Sequence, residues 1–136
     1  MATEAELRKV LERFAESQAA GDRDAWLDLF TTDAIQFEPV GSPPREGRDG
    51  LIEGWNGLHA QATSIQLRFE DVIVCDHDVA AVATARCTDP KGRHFEVRSI
   101  DLFSFAPDGR IRELRAFWNL DRVFFPFMGL LPDDLS

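Results

Sequence analysis

From Ile65 onward the chain is a succession of long alternating segments divided by short turn signals, and few folds accommodate that pattern. Ile65, Leu67 and Phe69 alternate with Gln66, Arg68 and Glu70, the two-residue period of a strand with one buried face. The alternation changes phase at Val72 and Val74, which predicts a β-bulge near Glu70-Asp71. Asp76-His77-Asp78, Asp89-Pro90-Lys91-Gly92 and Pro107-Asp108-Gly109 then read as turns into segments 79–88, 94–105 and 110–120. Four long strands in a hairpin meander present a wide apolar face that something must cover.

The first half supplies the cover. Thr3-Glu4-Ala5-Glu6 has the form of a capping box, and Leu7, Val10, Leu11, Phe14 and Ala15 follow at helical spacing on one face. Gly21 ends that helix, and Asp22 caps a short second one carrying Trp26, Leu27, Leu29 and Phe30. Residues 34–38 read as a short strand stopped by Pro39. Gly41-Ser42-Pro43-Pro44 reads as a loop, and residues 49–60 as a helix diluted by Gly50, Gly54 and Gly57. Helices first and strands after predict an α+β fold: a conical barrel of a curved, mainly antiparallel sheet packed on three N-terminal helices, a single domain over 1–136. The apolar tail at 123–128 is expected to cover the barrel mouth or a neighbouring subunit.

Charge narrows the function classes. Fifteen Lys and Arg against 24 Asp and Glu leave a net charge of −9, which repels nucleic-acid phosphates and anionic membrane surfaces. Apolar runs are too short to span a bilayer, and the N-terminus lacks the basic and apolar regions of a signal peptide. A cytoplasmic location is expected, with no nucleic-acid or membrane partner. Cys75 and Cys87 are the two cysteines. Hairpin register sets them near Val79 and Leu67 respectively, so inert, buried thiols are expected rather than a disulfide. His59, His77 and His94 lack metal-ligand spacing and are expected at the surface. No metal and no cofactor is expected.

The most informative residue is an acid on an apolar face. Along segment 94–105 one face carries Phe95, Val97, Ser99, Asp101, Phe103 and Phe105. Closing the preceding turn with Thr88 opposite His94 sets Ala81 beside Asp101. Closing the next with Phe105 opposite Arg110 sets Leu114 on its other side. A carboxylate there is poorly solvated and must either find partners, Ser99 among them, or take up a proton. The same register aligns Ala81, Ala83, Ala85 and Cys87 on the inner face, where small side chains leave room for a ligand. Glu38, ending the first strand, is a second candidate acid. One ionised and one neutral carboxyl would separate base from hydrogen-bond donor.

These two acids, with Glu38-Pro39-Val40-Gly41-Ser42-Pro43-Pro44, Gly47-Arg48, Ser99-Ile100-Asp101 and Asp108-Gly109-Arg110-Ile111 leading to Ala116-Phe117-Trp118, resemble bacterial ketosteroid isomerase (steroid Δ5-isomerase) of the nuclear transport factor 2-like, or SnoaL-like, superfamily. Gly21-Asp22 and Phe30-Thr31-Thr32-Asp33-Ala34 match the superfamily more broadly. The resemblance implies a cone-shaped α+β fold, often dimeric, around a deep apolar pocket that takes a small apolar ligand such as a steroid. It implies that Glu38 is the base carrying a proton between C4 and C6 of a 3-oxo-Δ5-steroid, and that protonated Asp101 donates to the dienolate oxygen. Phe14, Phe30, Trp55, Leu114, Ala116 and Trp118 would line the pocket, and the protein is expected to be a homodimer.

The sequence departs from that family at telling positions. The family's base is usually Asp where this chain has Glu38. Its second oxyanion donor is a Tyr where this chain has Phe14, its supporting tyrosines are Phe30 and Trp55 here, and the chain contains no Tyr at all. One lost oxyanion donor is worth about 2.7–4 kcal/mol of transition-state stabilisation; Trp55 or Trp118 could offer an indole N–H instead. Two alternatives remain open. One is an epoxide hydrolase or polyketide cyclase of the same superfamily, although Arg86 and Arg98 fall on the outer face, away from any Asp-Arg-Asp set. The other is a non-catalytic steroid- or lipid-binding protein.

Overall fold

The computed structural model describes residues 1–124. Helix α1 (Glu4–Ala20) opens on the capping box: the Thr3 hydroxyl accepts from the Glu6 N–H, and Glu6 Oε1 accepts from the Thr3 N–H, each at 3.2 Å. Gly21, at φ 67°, closes it in the left-handed region that glycine enters without steric cost. Helix α2 (Arg23–Leu27) is shorter than its apolar spacing suggests. Phe30 belongs instead to strand β1 (Phe30–Phe37), which therefore begins four residues before the expected strand. The reason is long-range: the Ile111 N–H donates to the Leu29 carbonyl at 2.8 Å, and Phe30 pairs with Ile111.

Strand β2 (Arg45–Glu46) precedes helix α3 (Gly47–Gln61). Of the glycines that dilute α3, Gly50 has a packing reason, since a Cβ there would stand 3.1 Å from the Arg45 backbone carbon, whereas Gly57 has open space around it. Then come β3 (Ser64–Cys75), β4 (Asp78–Thr88), β5 (His94–Phe105) and β6 (Ile111–Phe117), a 3₁₀ turn (Leu120–Arg122), and β7 (Val123–Phe124). β6 stops three residues before the expected end, where the Asn119 side chain caps the 3₁₀ turn.

The sheet runs β2-β1-β6-β5-β4-β3, with β7 on β5. Its one parallel pair among the described residues is β1 with β6. The sheet is curved and mainly antiparallel, as expected, but it does not close: β2 and β3 are its edges, so the cone is open. The bulge is where the phase change predicts it, with the β3–β4 register shifting between Glu70 and Ile73 and Asp71 at φ 48°. The helices cover the concave face. Leu7, Val10, Leu11 and Phe14 from α1, Trp26 from α2 and Leu51 and Trp55 from α3 meet Val79, Phe103, Phe105 and Leu114 in one core.

The β4–β5 register is as predicted, with Thr88 opposite His94 and Ala81 opposite Asp101. The β5–β6 register is not. The turn closes with Phe105 opposite Ile111 instead of Arg110, and a further one-residue shift between Ser104 and Phe105 sets Phe103 opposite Leu114 and Asp101 opposite Ala116. The error is two residues, so Leu114 and Ala116 keep the inward face. Val123 and Phe124 pair with Val97 and Glu96, while Phe125-Pro126-Phe127-Met128 of the apolar tail lie outside the described residues. No described helix is long and apolar enough to cross a membrane.

Candidate active site

Three strands bring the two acids to one place. β1 runs parallel to β6 with Phe37 beside Arg115. Just past β1 the chain turns over the next rung, and the Val40 N–H donates to the Ala116 carbonyl at 2.8 Å. Ala116 is in turn the β6 neighbour of Asp101. Glu38 and Asp101 thus flank Ala116, one from each side of β6. On its other side Asp101 has Ala81. Both alanines are almost fully buried, and Asp101 itself is 7% exposed.

Among the described residues each acid has one side-chain hydrogen-bond donor. The Trp118 indole Nε1–H donates to Glu38 Oε1 at 2.5 Å. The Ser99 hydroxyl, two residues along β5 on the same face, donates to Asp101 Oδ1 at 2.9 Å. Glu38 retains accessible surface although protein encloses its carboxyl closely enough to desolvate it.

Burial pushes the Glu38 carboxyl up to about 8; the negative charge of Asp101 adds to this and the Trp118 bond opposes it. Burial pushes Asp101 up to about 6, against the bond from Ser99. Like charges this close titrate as a pair. Burial raises both carboxyls above the ordinary carboxylate range, and a pair raised and coupled in this way can share one proton.

The other predicted residues divide into two groups. Leu114 and Ala116 sit on the inner face of β6 beside the acids, both 1% exposed. Phe14, Phe30 and Trp55 form an aromatic layer. Phe14 meets Trp26, Phe30, Phe69 and Phe103 at centroid distances of 5.7–6.2 Å. Trp55 packs on Trp26 at 5.1 Å and stacks on His59 at 3.9 Å. Trp118 alone of the wall residues is half-buried, and its N–H is committed to Glu38 rather than offered as an oxyanion donor. Phe69 and Phe103 also belong to this layer; the polar neighbours Arg68 and Glu70 point Phe69 inward, and strand parity with Phe105 points Phe103 inward.

Two other expectations are corrected. His59 is not a free surface histidine: its ring lies on Trp55, its Nε2 is 2.9 Å from Gln18 Oε1, and burial lowers its proton affinity. Cys87 is buried, with its thiol pushed up to about 12 by burial, but Cys75 is exposed. Their strand partners are Ile65 and Asp78, each displaced from the expected Leu67 and Val79. Arg86 and Arg98 do lie on the outer face, both bonded to Glu96.

Comparison with known proteins follows the same lines. The sequence pattern of the SnoaL-like domain matches residues 11–114. A steroid Delta-isomerase of Nocardioides simplex is 31% identical over 114 residues, 84% of this chain and 90% of that protein. Among solved structures, the epoxide hydrolase/cyclase-like enzyme SalBIII, which acts in pyran ring formation in the polyether salinomycin, superimposes with a TM-score of 0.82 at 25% identity, over 92% of this chain and 99% of its own. A Mycobacterium tuberculosis protein in complex with estradiol-17beta-hemisuccinate superimposes with a TM-score of 0.77 at 20% identity, over 88% and 98%.

Proposed function

Since the chain belongs to the SnoaL-like domain family, we propose that it is a steroid Δ5-isomerase-like enzyme, moving a proton without a cofactor within a 3-oxo-Δ5-steroid or a similar apolar, enolisable ketone. Membership and the steroid isomerase relative support an enzyme of the isomerase or cyclase kind. The observation that carries the finer reading is the pair of carboxyls flanking Ala116, both raised by burial, which lets them share one proton.

The chemistry follows from that shared proton. A ketone oxygen at Asp101 accepts a hydrogen bond only from the protonated acid, so ligand binding favours the microstate with the proton on Asp101 and the charge on Glu38. Glu38 then removes a proton from C4, and the electrons move into the dienolate whose oxygen Asp101 holds. Protonated Glu38 returns the proton at C6. A base whose proton affinity lies near working pH is suited to both taking and returning it, and the Trp118 N–H stabilises the Glu38 carboxylate before it takes the proton and after it has returned it. Leu114, Ala116 and the layer of Phe14, Phe30 and Trp55 supply the apolar wall. We place the enzyme in the cytoplasm as a homodimer. The outer face offers a second copy an apolar patch in the cross-strand neighbours Ile100 and Phe117, 53% and 40% exposed.

Isomerisation of 5-androstene-3,17-dione, followed by formation of the conjugated enone, tests the reading. Turnover that disappears in Glu38→Gln while a planar phenolic steroid still binds is the expected result. Steroid binding with no turnover in the wild type would make the protein a binder. A second enzymatic reading has its own support in the superposition on the epoxide hydrolase/cyclase-like enzyme SalBIII, with a TM-score of 0.82. Two raised carboxyls that share a proton suit acid-assisted epoxide opening, with one protonating the epoxide oxygen and the other taking the proton of the attacking hydroxyl. Turnover of a hydroxy-epoxide in place of the enone precursor would select it.

A further inference from the structure

Ser99 has a place in the site that the wall and the two acids do not explain. It shares the inner face of β5 with Asp101 and donates to Asp101 Oδ1 at 2.9 Å. Its β4 neighbour is Ala83, 1% exposed, which offers no competing side-chain acceptor. A serine here is therefore aimed along its own strand at one oxygen of the acid. With Oδ1 occupied as an acceptor, the proton of neutral Asp101 belongs on Oδ2, the oxygen left to face a ligand.

We propose that Ser99 is a positioning residue for the reaction: it presents Oδ2 of Asp101 to the ligand oxygen and, one bond removed, supplies the second donor that a chain without tyrosine lacks. The inference rests on the isomerase reading. As the dienolate forms, the bond from Oδ2–H to its oxygen shortens and electron density gathers on the carboxyl. The Ser99 O–H then meets a stronger acceptor at Oδ1. Hydrogen bonds linked in this way polarise one another in a poorly solvated site, so part of the negative charge reaches Ser99 with no further proton transfer. A donor acting through Asp101 strengthens chiefly in the transition state, and its loss falls on kcat rather than KM.

Few other groups can move the titration of Asp101. Its neighbours on β4 and β6 are Ala81 and Ala116. Glu38, past the end of β1, is the titratable side chain coupled to it. Asp121 and Arg122 on the 3₁₀ turn packed against β5 are exposed, and Val123 and Phe124 of β7 carry no charge.

The test compares Ser99→Ala and Ser99→Thr in two measurements. The first is the ¹³C carboxyl titration of Asp101 without substrate, in a Glu38→Gln background so that Asp101 titrates alone. Ser99→Ala should raise its midpoint by roughly one pH unit, and Ser99→Thr, which keeps the hydroxyl, should restore it. The second is isomerase kinetics with Glu38 intact. Ser99→Ala should lower kcat about tenfold at unchanged KM, with Ser99→Thr recovering most of it. A serine that merely fills space would change thermal stability and leave both the midpoint and kcat in place. An unmoved midpoint, or a moved midpoint with unchanged kcat, overturns the proposal. Absence of isomerisation in the wild type overturns instead the reading beneath it, and the two failures are distinguishable because the titration needs no substrate.

Discussion

Strand β5 buries two acids five residues apart, on opposite faces, and treats them in opposite ways. Glu96, on the convex side, is 3% exposed and Asp101, on the concave side, 7%. Burial alone would raise the proton affinity of both. At Glu96 the hydrogen bonds and charges of Arg98 and Arg86 outweigh it and hold the carboxyl below its ordinary range, at contacts of 2.8 and 3.1 Å. At Asp101 one serine hydroxyl is the compensation, and the carboxyl is pushed up to about 6. Burial thus marks both acids as unusual, while the partners decide the use: two guanidiniums make a permanent anion that ties the outer face together, and a lone hydroxyl leaves a proton free to be donated or shared.

The largest effect should come from the inner face. Glu38→Gln keeps the shape and removes the base, and turnover of 5-androstene-3,17-dione should fall by at least ~10²-fold; an unchanged rate would take Glu38 out of the mechanism. The outer face should answer in stability instead. Replacing Arg86 and Arg98 together by Ala strands the Glu96 carboxylate, at a cost of about 2 kcal/mol. That is less than for a fully buried pair, because both guanidiniums are half in water. Thermal melting should drop by roughly 6–10 °C, with kcat per folded molecule unaltered. A drop in kcat would show that the two faces are not independent.

Phe14→Tyr comes next. A hydroxyl at the missing donor position should raise kcat ~10-fold, a cautious fraction of the 10²–10³ typical of one oxyanion donor. The structure sharpens the condition, since Phe14 is ringed by Trp26, Phe30, Phe69 and Phe103. A gain with little change in stability places the ring edge beside the bound ligand. A loss of about 1–3 kcal/mol without gain places it in the aromatic core, and the steroid reading would lose much of its support.

The smallest effect is a difference in pH response. An acid raised from 3.8 to about 6 on folding binds more protons in the native state. Its contribution to stability is therefore lost as pH rises through that interval and is level above it. Asp101→Asn should match the wild type near pH 4 and melt a few degrees higher at pH 7. Glu96, lowered on folding, has the opposite sign: its contribution is present above the unfolded value and lost on acidification, so Glu96→Gln should flatten the acid limb. Strong destabilisation by Asp101→Asn at pH 7 would mean an ionised, structurally paired carboxylate on both faces.

Much of this architecture was legible in the residues because strand parity is a local property. The faces of β5, the bulge at Asp71 and the Ala81–Asp101 pairing follow from alternation and from a turn that closes with Thr88 opposite His94. The Ser99 bond to Asp101 was foreseeable on the same ground. What failed was set by distant pairing. Nothing near Phe30 announces that Ile111 will draw it into a parallel ladder. A turn that closes on Ile111 and the slip between Ser104 and Phe105 together move Ala116 into the position expected for Leu114. The opposition of Glu38 and Asp101 across Ala116 depends on both, and so came into view from the resemblance and not from periodicity. The bond from Trp118 to Glu38 joins residues 80 positions apart and had no local trace.

The bulge in β3 bears on more than curvature. β3 is twelve residues long and forms one open edge of the sheet, the kind of border on which a foreign strand can add. Asp71, at φ 48°, breaks its regular spacing, and Arg8 reaches across from α1 to donate to the Val72 carbonyl at 3.1 Å. A straight docking strand would meet a kink, a charged side chain and a carbonyl already taken. The distortion that bends the wall around the acids thereby also guards its border against runaway polymerisation, and replacing Arg8 with a small apolar residue would expose that border.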